Sequence, residues 1–445
     1  MAILFHSVRL DAEKCQGCTN CIKRCPTQAI RVRNKKAYII SDRCIDCGEC
    51  IRVCPHHAKY AVSEPFNELL KYKYRIALPA PALYGQFNNL ENVDYVLTGL
   101  KKMGFDDVTE VSKGAELISA ATRVMMESGE LQKPVISSAC PAVLRLIRTR
   151  FPNLIKNLLP MCAPVDLAAK IARKKAAETT GYKEDEIGVF FITPCPAKRT
   201  AIRNPLCHES DGISGAIAIK DIYPVLVQTM DRLTSEEIEP INDSGIIGVG
   251  WASSGGEAAG LLKERYLAAD GIENVINVLE ELEDEKLNDL DFIELNCCTG
   301  GCVGGVLTVE NPYVAKARLQ RLRKFMPVSC NNLEDDFNWD EIGWTKELTP
   351  SPAMKLADNV IKAMRLMTQL REIEASLPGL DCGICGAPSC RALAEDIVRG
   401  YAEETDCVLH NIQVGGNGKG EDWLPAPFRV KVLNEDANEG GANES

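Results

Sequence analysis

The chain has 445 residues, 45% of them apolar, enough for roughly two to four folded units with at least one sizeable core. Its 51 basic and 62 acidic side chains leave a formal charge of -11 without a long basic run, so nothing in the composition provides for nucleic acid or an anionic membrane surface. Twenty cysteines against five histidines in so long a chain argue for all-sulfur iron sites rather than a disulfide framework or mixed zinc sites. The apolar runs are too short to span a bilayer, and "MAILFHSVRLDAEK" lacks the basic start and apolar core of a signal peptide, so a soluble, cytoplasmic protein is expected.

Residues 11–55 contain a repeat, "CQGCTNCIKRCP" followed by "CIDCGECIRVCP", each a C-x2-C-x2-C-x3-C-P run. In such a run three close thiolates hold one [4Fe-4S] cube and the fourth reaches the other cube. The spacing therefore predicts one cluster on Cys15, Cys18, Cys21 and Cys54 and a second on Cys44, Cys47, Cys50 and Cys25. Two zinc knuckles are the alternative. "RVRNKKAYII" between the repeats reads as a hairpin, and residues 1–70 together as an α+β two-cluster ferredoxin domain.

From 71 to 348 buried strands alternate with amphipathic helices, the pattern of an α/β domain with two lobes of parallel-rich sheet flanked by helices. "YRIALPAPAL", "KPVISSACP", "EIGVFFITPCP", "SGIIGVGWASSGGE" and "LDFIELNCC" each read as an apolar strand ending in a turn, with "AVLRLIRTRF" and "EAAGLLKERYLAAD" as following helices. Ligands of such sheets gather beyond the carboxyl ends of the strands. Cys140, Cys195, Cys298 and Cys302 all lie there, so four thiolates from three strand ends are expected to meet in one buried site. "GIIGVGWASSGG" lacks the third glycine of a dinucleotide loop, which argues against nucleotide binding.

Residues 349–425 read as a linking helix and a small C-terminal iron–sulfur domain. Met354, Ile361, Met364, Met367 and Leu370 recur at helical spacing, as a core-facing stripe would. Cys382, Cys385, Cys390 and Cys407 follow C-x2-C-x4-C-x16-C, a closed four-thiolate site for one more [4Fe-4S] cluster, with structural zinc as the alternative. The acidic, Gly-rich tail 426–445 is expected to be disordered.

At "SSACPAV", "TPCPAK" and "ELNCCTGGCVGG" the sequence resembles the catalytic domain of [FeFe]-hydrogenases, and with the ferredoxin repeat the likeness spans about three quarters of the chain. The resemblance implies that Cys140, Cys195, Cys298 and Cys302 hold an H-cluster, a [4Fe-4S] cube joined to a di-iron unit bearing CO, CN and an azadithiolate, with Cys302 as the bridging thiolate. It also implies that Lys198 donates to one cyanide, and that Pro79 and Ala80 form part of a small apolar wall near the diatomic ligands. Gly300, Gly301, Gly304 and Gly305 would bring backbone N–H groups close to the cluster.

The departures from the family's well-known catalytic group carry as much information. Those enzymes place a proton-relaying Cys before the first cluster ligand, where this chain has Ala139, which neither donates nor accepts a proton. Losing a positioned proton donor costs about 10²–10⁴-fold in rate. Thr193 and Asn296 replace the usual methionines, and "PMCAPVD" replaces a serine-rich stretch. With the C-terminal cysteines, these features resemble the sensory group of the family. Substitute proton carriers are sought in Glu257, Cys162, Glu110 and Glu116; Cys207, Cys297 and Cys330 receive no role.

The expected activity is reversible H2 oxidation and proton reduction, slow and used for H2 sensing or redox signalling. The substrates are H2 and protons, the redox partner is a ferredoxin or a signalling protein, and hydrogenase maturation proteins supply the di-iron unit. A non-catalytic hydrogenase-like iron–sulfur assembly or electron-transfer protein is the alternative.

Overall fold

A computed structural model describes residues 6–207, 212–333, 337–351, 353 and 355–410. The tail 426–445 and Met354 lie outside the described residues.

Strands β1 (Val8–Leu10) and β4 (Lys59–Ala61) pair antiparallel, as do β2 (Ile30–Arg33) and β3 (Lys36–Ile39), so the predicted hairpin is present. Each cysteine run opens a one-turn helix, Asn20–Lys23 and Glu49–Arg52, which ends just before its Cys-Pro pair. Pro26 and Pro55 have no N–H to continue the turn.

Beyond residue 71 the chain builds two parallel sheets. In the first, β5 (Tyr74–Pro79) and β8 (Ile187–Thr193) are central, flanked by β6 (Asp107–Val108) and β9 (Gly215–Ala218) in the order β6-β5-β8-β9. Strand β8 is buried along its whole length, because helices cover both faces of a parallel sheet and leave no side for polar alternation. Ile76, Leu78 and Phe190 are fully buried in its core, each contributing about 1.5–3 kcal/mol of transfer free energy. The second sheet has the order β10-β11-β7, from β7 (Val135–Ile136), β10 (Tyr266–Asp270) and β11 (Phe292–Asn296).

Three local expectations are overturned. The apolar run "GIIGVG" is not a strand but the short helix Ile246–Gly250, followed by Gly256–Gly260. A Cβ on Gly256 would lie 1.8 Å from the Gly250 carbonyl oxygen, an approach only glycine permits, so the two turns fold back on each other. "ERYLAAD" is not helical: Leu262 adopts a φ of 55°, the helix stops there, and Tyr266–Asp270 pairs in parallel with β11. The stripe on the linking helix Val360–Ser376 does not face a core. Leu370 is buried against Leu393, whereas Ile361 and Met364 are 65% and 67% exposed, because only the C-terminal half of that helix packs on Cys390–Val398. No described helix is long and apolar enough to cross a membrane.

Candidate functional site

Two of the cysteine strand ends are built alike. Strand β7 leads to Cys140 at the N-cap of helix Pro141–Arg150, and β8 leads to Cys195 at the N-cap of Pro196–Arg203. Proline at the first helical position pre-sets the turn, and the helix N-terminal N–H groups point back at the sulfur. Those of Ala142 and Val143 reach the Cys140 thiol, and that of Lys198 reaches Cys195. Strand β11 supplies the third end, with Cys298 and Cys302 in the loop behind it.

All four thiols line one cavity of about 100 Å³, together with Lys198, Ala139 and the small apolar residues Ala80, Pro81 and Ala82. Ala80 therefore belongs to the wall, while Pro79, still in β5, does not line it. Burial pushes Cys302 up to about 12, raises Cys140 and lifts Cys195 well above the ordinary thiol range; Cys298 and Cys140 add to the rise at Cys195 by like-charge repulsion. Only Cys298 is lowered, to about 7, chiefly because the Cys297 thiol donates to it and then because the Arg52 guanidinium approaches it. Four thiolates so close ionise together only against a bound cation, so this donor set fits a thiolate-ligated iron cluster.

The dicluster quartets converge as well. Cys15, Cys18, Cys21 and Cys54 line one cavity, and Cys25, Cys44, Cys47 and Cys50 another. Burial raises Cys21 to about 11 and Cys50 well above its ordinary value. Asp46 and Cys47 line both the second of these cavities and the strand-end cavity, so the two share a wall. Asp46 fastens that wall, accepting from the Ser7 and Val8 N–H groups at 2.9 and 2.8 Å and from the Thr200 hydroxyl at 2.6 Å.

The C-terminal thiols also gather: burial raises Cys385, and Cys407 and Cys382 add to the shift through space. Cys390 opens helix Cys390–Val398, its N–H held by Asp381 at 2.6 Å, and the Cys407 sulfur accepts from the His410 N–H at 3.4 Å. This unit sits on the ferredoxin hairpin. The Val32 N–H donates to the Gly386 carbonyl at 2.8 Å, and a Cβ on Gly386 would lie 1.8 Å from the Val32 oxygen. Fully buried Arg31 forms a fork on Asp396 at 2.6 and 3.0 Å, and Arg43 pairs with Glu395. Cys382→Ser is expected to remove about four iron and four sulfide per chain if a cube sits here, whereas zinc would leave sulfide unchanged.

The four candidate proton carriers separate cleanly. Glu110 is buried but occupied: it accepts from Tyr84 and Ser244 hydroxyls at 2.8 Å and from the Asp243 N–H at 2.7 Å, so it anchors the 242–244 segment and does not line the cavity. Glu116 likewise holds the N–H groups of Gly245, Cys330 and Asn331. Cys162 packs in an apolar cluster with Leu117, Leu159 and Leu167, its thiol toward the Glu341 carbonyl, away from the cavity. Glu257 is different. It accepts from the Ser137 hydroxyl at 2.6 Å, and that oxygen accepts from the Ala139 N–H at 3.2 Å, next to the cavity wall.

Burial pushes Glu257 up to about 8, and the neighbouring Glu294 carboxylate adds to the rise. Glu294, on β11, is also raised by burial, yet it accepts from the N–H groups of Gly255 and Ala258 at 3.0 and 2.9 Å and from Asn296 at 2.6 Å. With the larger donor set Glu294 is the better seat for the pair's negative charge, and Glu257 for the proton.

Some functional contacts escaped the sequence. Nothing in the linear pattern singles out Glu294 or Arg52, and Cys297 receives no role there; only the fold puts Cys297 between Cys298 and the Cys47 carbonyl, at 3.9 Å from the latter. The N–H groups of Gly300, Gly301, Gly304 and Gly305 are not free for a cluster. They donate to Asp270, Cys298, Gly301 and Cys302, which folds the loop around the cavity.

Comparison with known proteins agrees with this layout. The family described as iron only hydrogenase large subunit, C-terminal domain, matches residues 73–266 and 225–306, more than half of the chain. A 4Fe-4S dicluster domain matches 7–55 and a putative Fe-S cluster family matches 377–409. Iron hydrogenase 1 of Clostridium pasteurianum is 22% identical over 290 residues, 52% of this chain and 50% of that protein. The cytosolic Fe-S cluster assembly factor NAR1 of Scheffersomyces stipitis is 21% identical over 206 residues, 40% of this chain and 38% of that protein. The chain thus spans half or less of the length of these curated relatives. Among solved structures, [FeFe]-hydrogenase HydA1 from Chlamydomonas reinhardtii aligns at 16% identity with a TM-score of 0.44, covering 64% of this chain and 91% of that one. From the family match, the chain belongs to the iron-only hydrogenase large-subunit family, carrying a dicluster iron–sulfur domain ahead of the hydrogenase domain and an iron–sulfur motif behind it.

Proposed function

We propose that this chain is an [FeFe]-hydrogenase that interconverts H2 with protons and electrons slowly and reports the result, as a change in cluster redox state, to a ferredoxin or signalling partner. The observation that carries the reading is the convergence of Cys140, Cys195, Cys298 and Cys302 with Lys198 and a small apolar wall in one cavity, one wall away from the dicluster thiols. Bound there, an H-cluster supplies the di-iron site at which H2 is cleaved or formed. Lys198 presents a compact ammonium suited to an anionic cyanide end, and Ala80, Pro81 and Ala82 keep water out. Electrons leave through the shared Asp46–Cys47 wall to the dicluster domain and on to the C-terminal unit seated on its hairpin.

Protons move by a route other than the absent cysteine. Glu257 holds a proton at neutral pH; in this route its carboxyl gives that proton to the Ser137 oxygen while the Ser137 hydroxyl, turned toward the cavity beside Ala139, hands its own proton to a basic group bound there, and Glu294 keeps the pair's negative charge. Ala139 itself contributes no proton, which is why turnover is expected to be slow.

The non-catalytic reading is favoured by one finding, the match to an Fe-S cluster assembly factor over 40% of the chain. Infrared spectra after maturation separate the two. CO and CN stretching bands are expected for the wild-type chain and not for Cys302→Ser; a fully matured wild-type protein without them would leave the assembly reading standing.

A further inference from the structure

A second cavity of about 50 Å³ lies behind Ala139 and shares Ala139, Pro141 and Lys198 with the thiol-lined one. Its wall includes Arg145, on helix Pro141–Arg150, which is 6% exposed. The Nε and Nη2 atoms of Arg145 are buried and find no hydrogen-bond partner among the described residues. Asp46 and Cys44 act on this guanidinium only through space, and neither lines the second cavity. Of the other polar groups in this wall, the Ser138 hydroxyl and the Trp344 indole N–H both donate to the Met161 carbonyl, at 3.0 and 2.8 Å, and Asp166, the one carboxylate among the described lining residues, accepts from the Ala163 N–H at 2.9 Å.

Buried guanidinium N–H groups without an acceptor are costly in a core, and a bound group that accepts from them and carries negative charge removes that cost. Its planar fork matches two oxygens held about as far apart as those of a carboxylate. Lys198, in the wall common to both cavities, adds a second positive side chain. A space of about 50 Å³ is several times the roughly 10–15 Å³ that one water needs on the same measure, so it admits a group of a few heavy atoms.

We infer that the cavity bounded by Arg145, Lys198 and Ala139 binds a small monovalent oxyanion, formate or bicarbonate in size and charge. The inference rests on the chain's own atoms and stands or falls separately from the hydrogenase reading. The alanine at 139 matters here too, because with Pro141 and Lys198 it forms the wall shared by the two spaces.

Thermal unfolding of the full-length, cluster-loaded protein tests this, titrated with sodium formate or sodium bicarbonate against sodium chloride at constant ionic strength. The expected result is a saturable rise in Tm with one or both oxyanions beyond that with chloride; which of them acts identifies the source of the anion. Arg145→Met is expected to weaken the apparent affinity by roughly tenfold or more. Ala201→Leu, which keeps the guanidinium and fills the cavity from its wall, is expected to do the same. If Arg145→Met fails to fold, Ala201→Leu decides, together with the carboxylate stretch of 13C-formate, which should shift on binding to wild type and not to that variant. An equal response to chloride and the oxyanions, or an undiminished oxyanion response in Ala201→Leu, would mean that the cavity holds water and would overturn the inference.

Discussion

Glu257→Gln is expected to lower H2 turnover by roughly 10²-fold or more, the range over which a positioned proton carrier contributes. The glutamine keeps the hydrogen bond to Ser137 and the packing but cannot exchange a proton. Glu257 is protonated below about 8, so proton reduction by the wild type should fall as pH rises through that value, and the variant should lose this dependence. Stability moves with the same group. Its pKa is raised on folding from 4.5 to about 8, so its contribution is full below the unfolded value and is lost as pH rises through the folded one. Wild type should therefore become less stable from acid toward pH 8, and Glu257→Gln should flatten that slope, by an amount on the order of a few kcal/mol. Ser137→Ala should slow turnover through the same chain, while Cys162→Ala, whose thiol lies in an apolar cluster off the cavity, should not. Unchanged turnover and pH profile in Glu257→Gln would dismiss the route.

The second large effect lies at the other end of the molecule. Asp396→Ala leaves Arg31, with a fully buried side chain, facing no carboxylate, and breaking one side of such a buried pair costs about 3–5 kcal/mol. The loss should fall on the seat of the C-terminal unit on the hairpin β2–β3, because Arg31 and Arg33 both reach Asp396. Hydrogen exchange should then rise over 377–409 and over 30–39 together, while the β5–β8 core stays protected. Replacing both partners by apolar residues, Arg31→Met with Asp396→Leu, should recover much of the loss, since the charge is then not stranded. If Asp396→Ala costs less than about 0.5 kcal/mol, the pair does not hold the unit in place.

Other parts of the molecule divide according to the range of the interactions that set them. The two cysteine runs are legible because a cube needs thiolates within a few residues of one another, and that spacing survives in any linear reading. The strand-to-Cys-Pro-to-helix units at Cys140 and Cys195 are legible for the same reason: apolar run, thiol and proline are consecutive. "GIIGVG" misled because an apolar run of that length fits a buried strand as well as a buried helical turn, and the deciding contact, Gly256 against Gly250, spans a fold-back.

What the sequence by itself determined is the ligand inventory: which thiols come in fours, that a strand-end group of four should meet, and that position 139 holds no proton. Only the tertiary structure decided which carboxylate is linked by hydrogen bonds to the cavity wall, since Glu110, Glu116, Glu257 and Glu294 are chemically alike. They differ only in what donates to them: five or so donors anchor Glu110, whereas Glu257 has a single hydroxyl between itself and Ala139. The seating of the C-terminal unit by Arg31 and the two buried Arg145 nitrogens left without a hydrogen-bond partner among the described residues are of the same kind. Burial and partnership join residues distant in the chain, and charge becomes costly or useful only once the fold has removed the water around it.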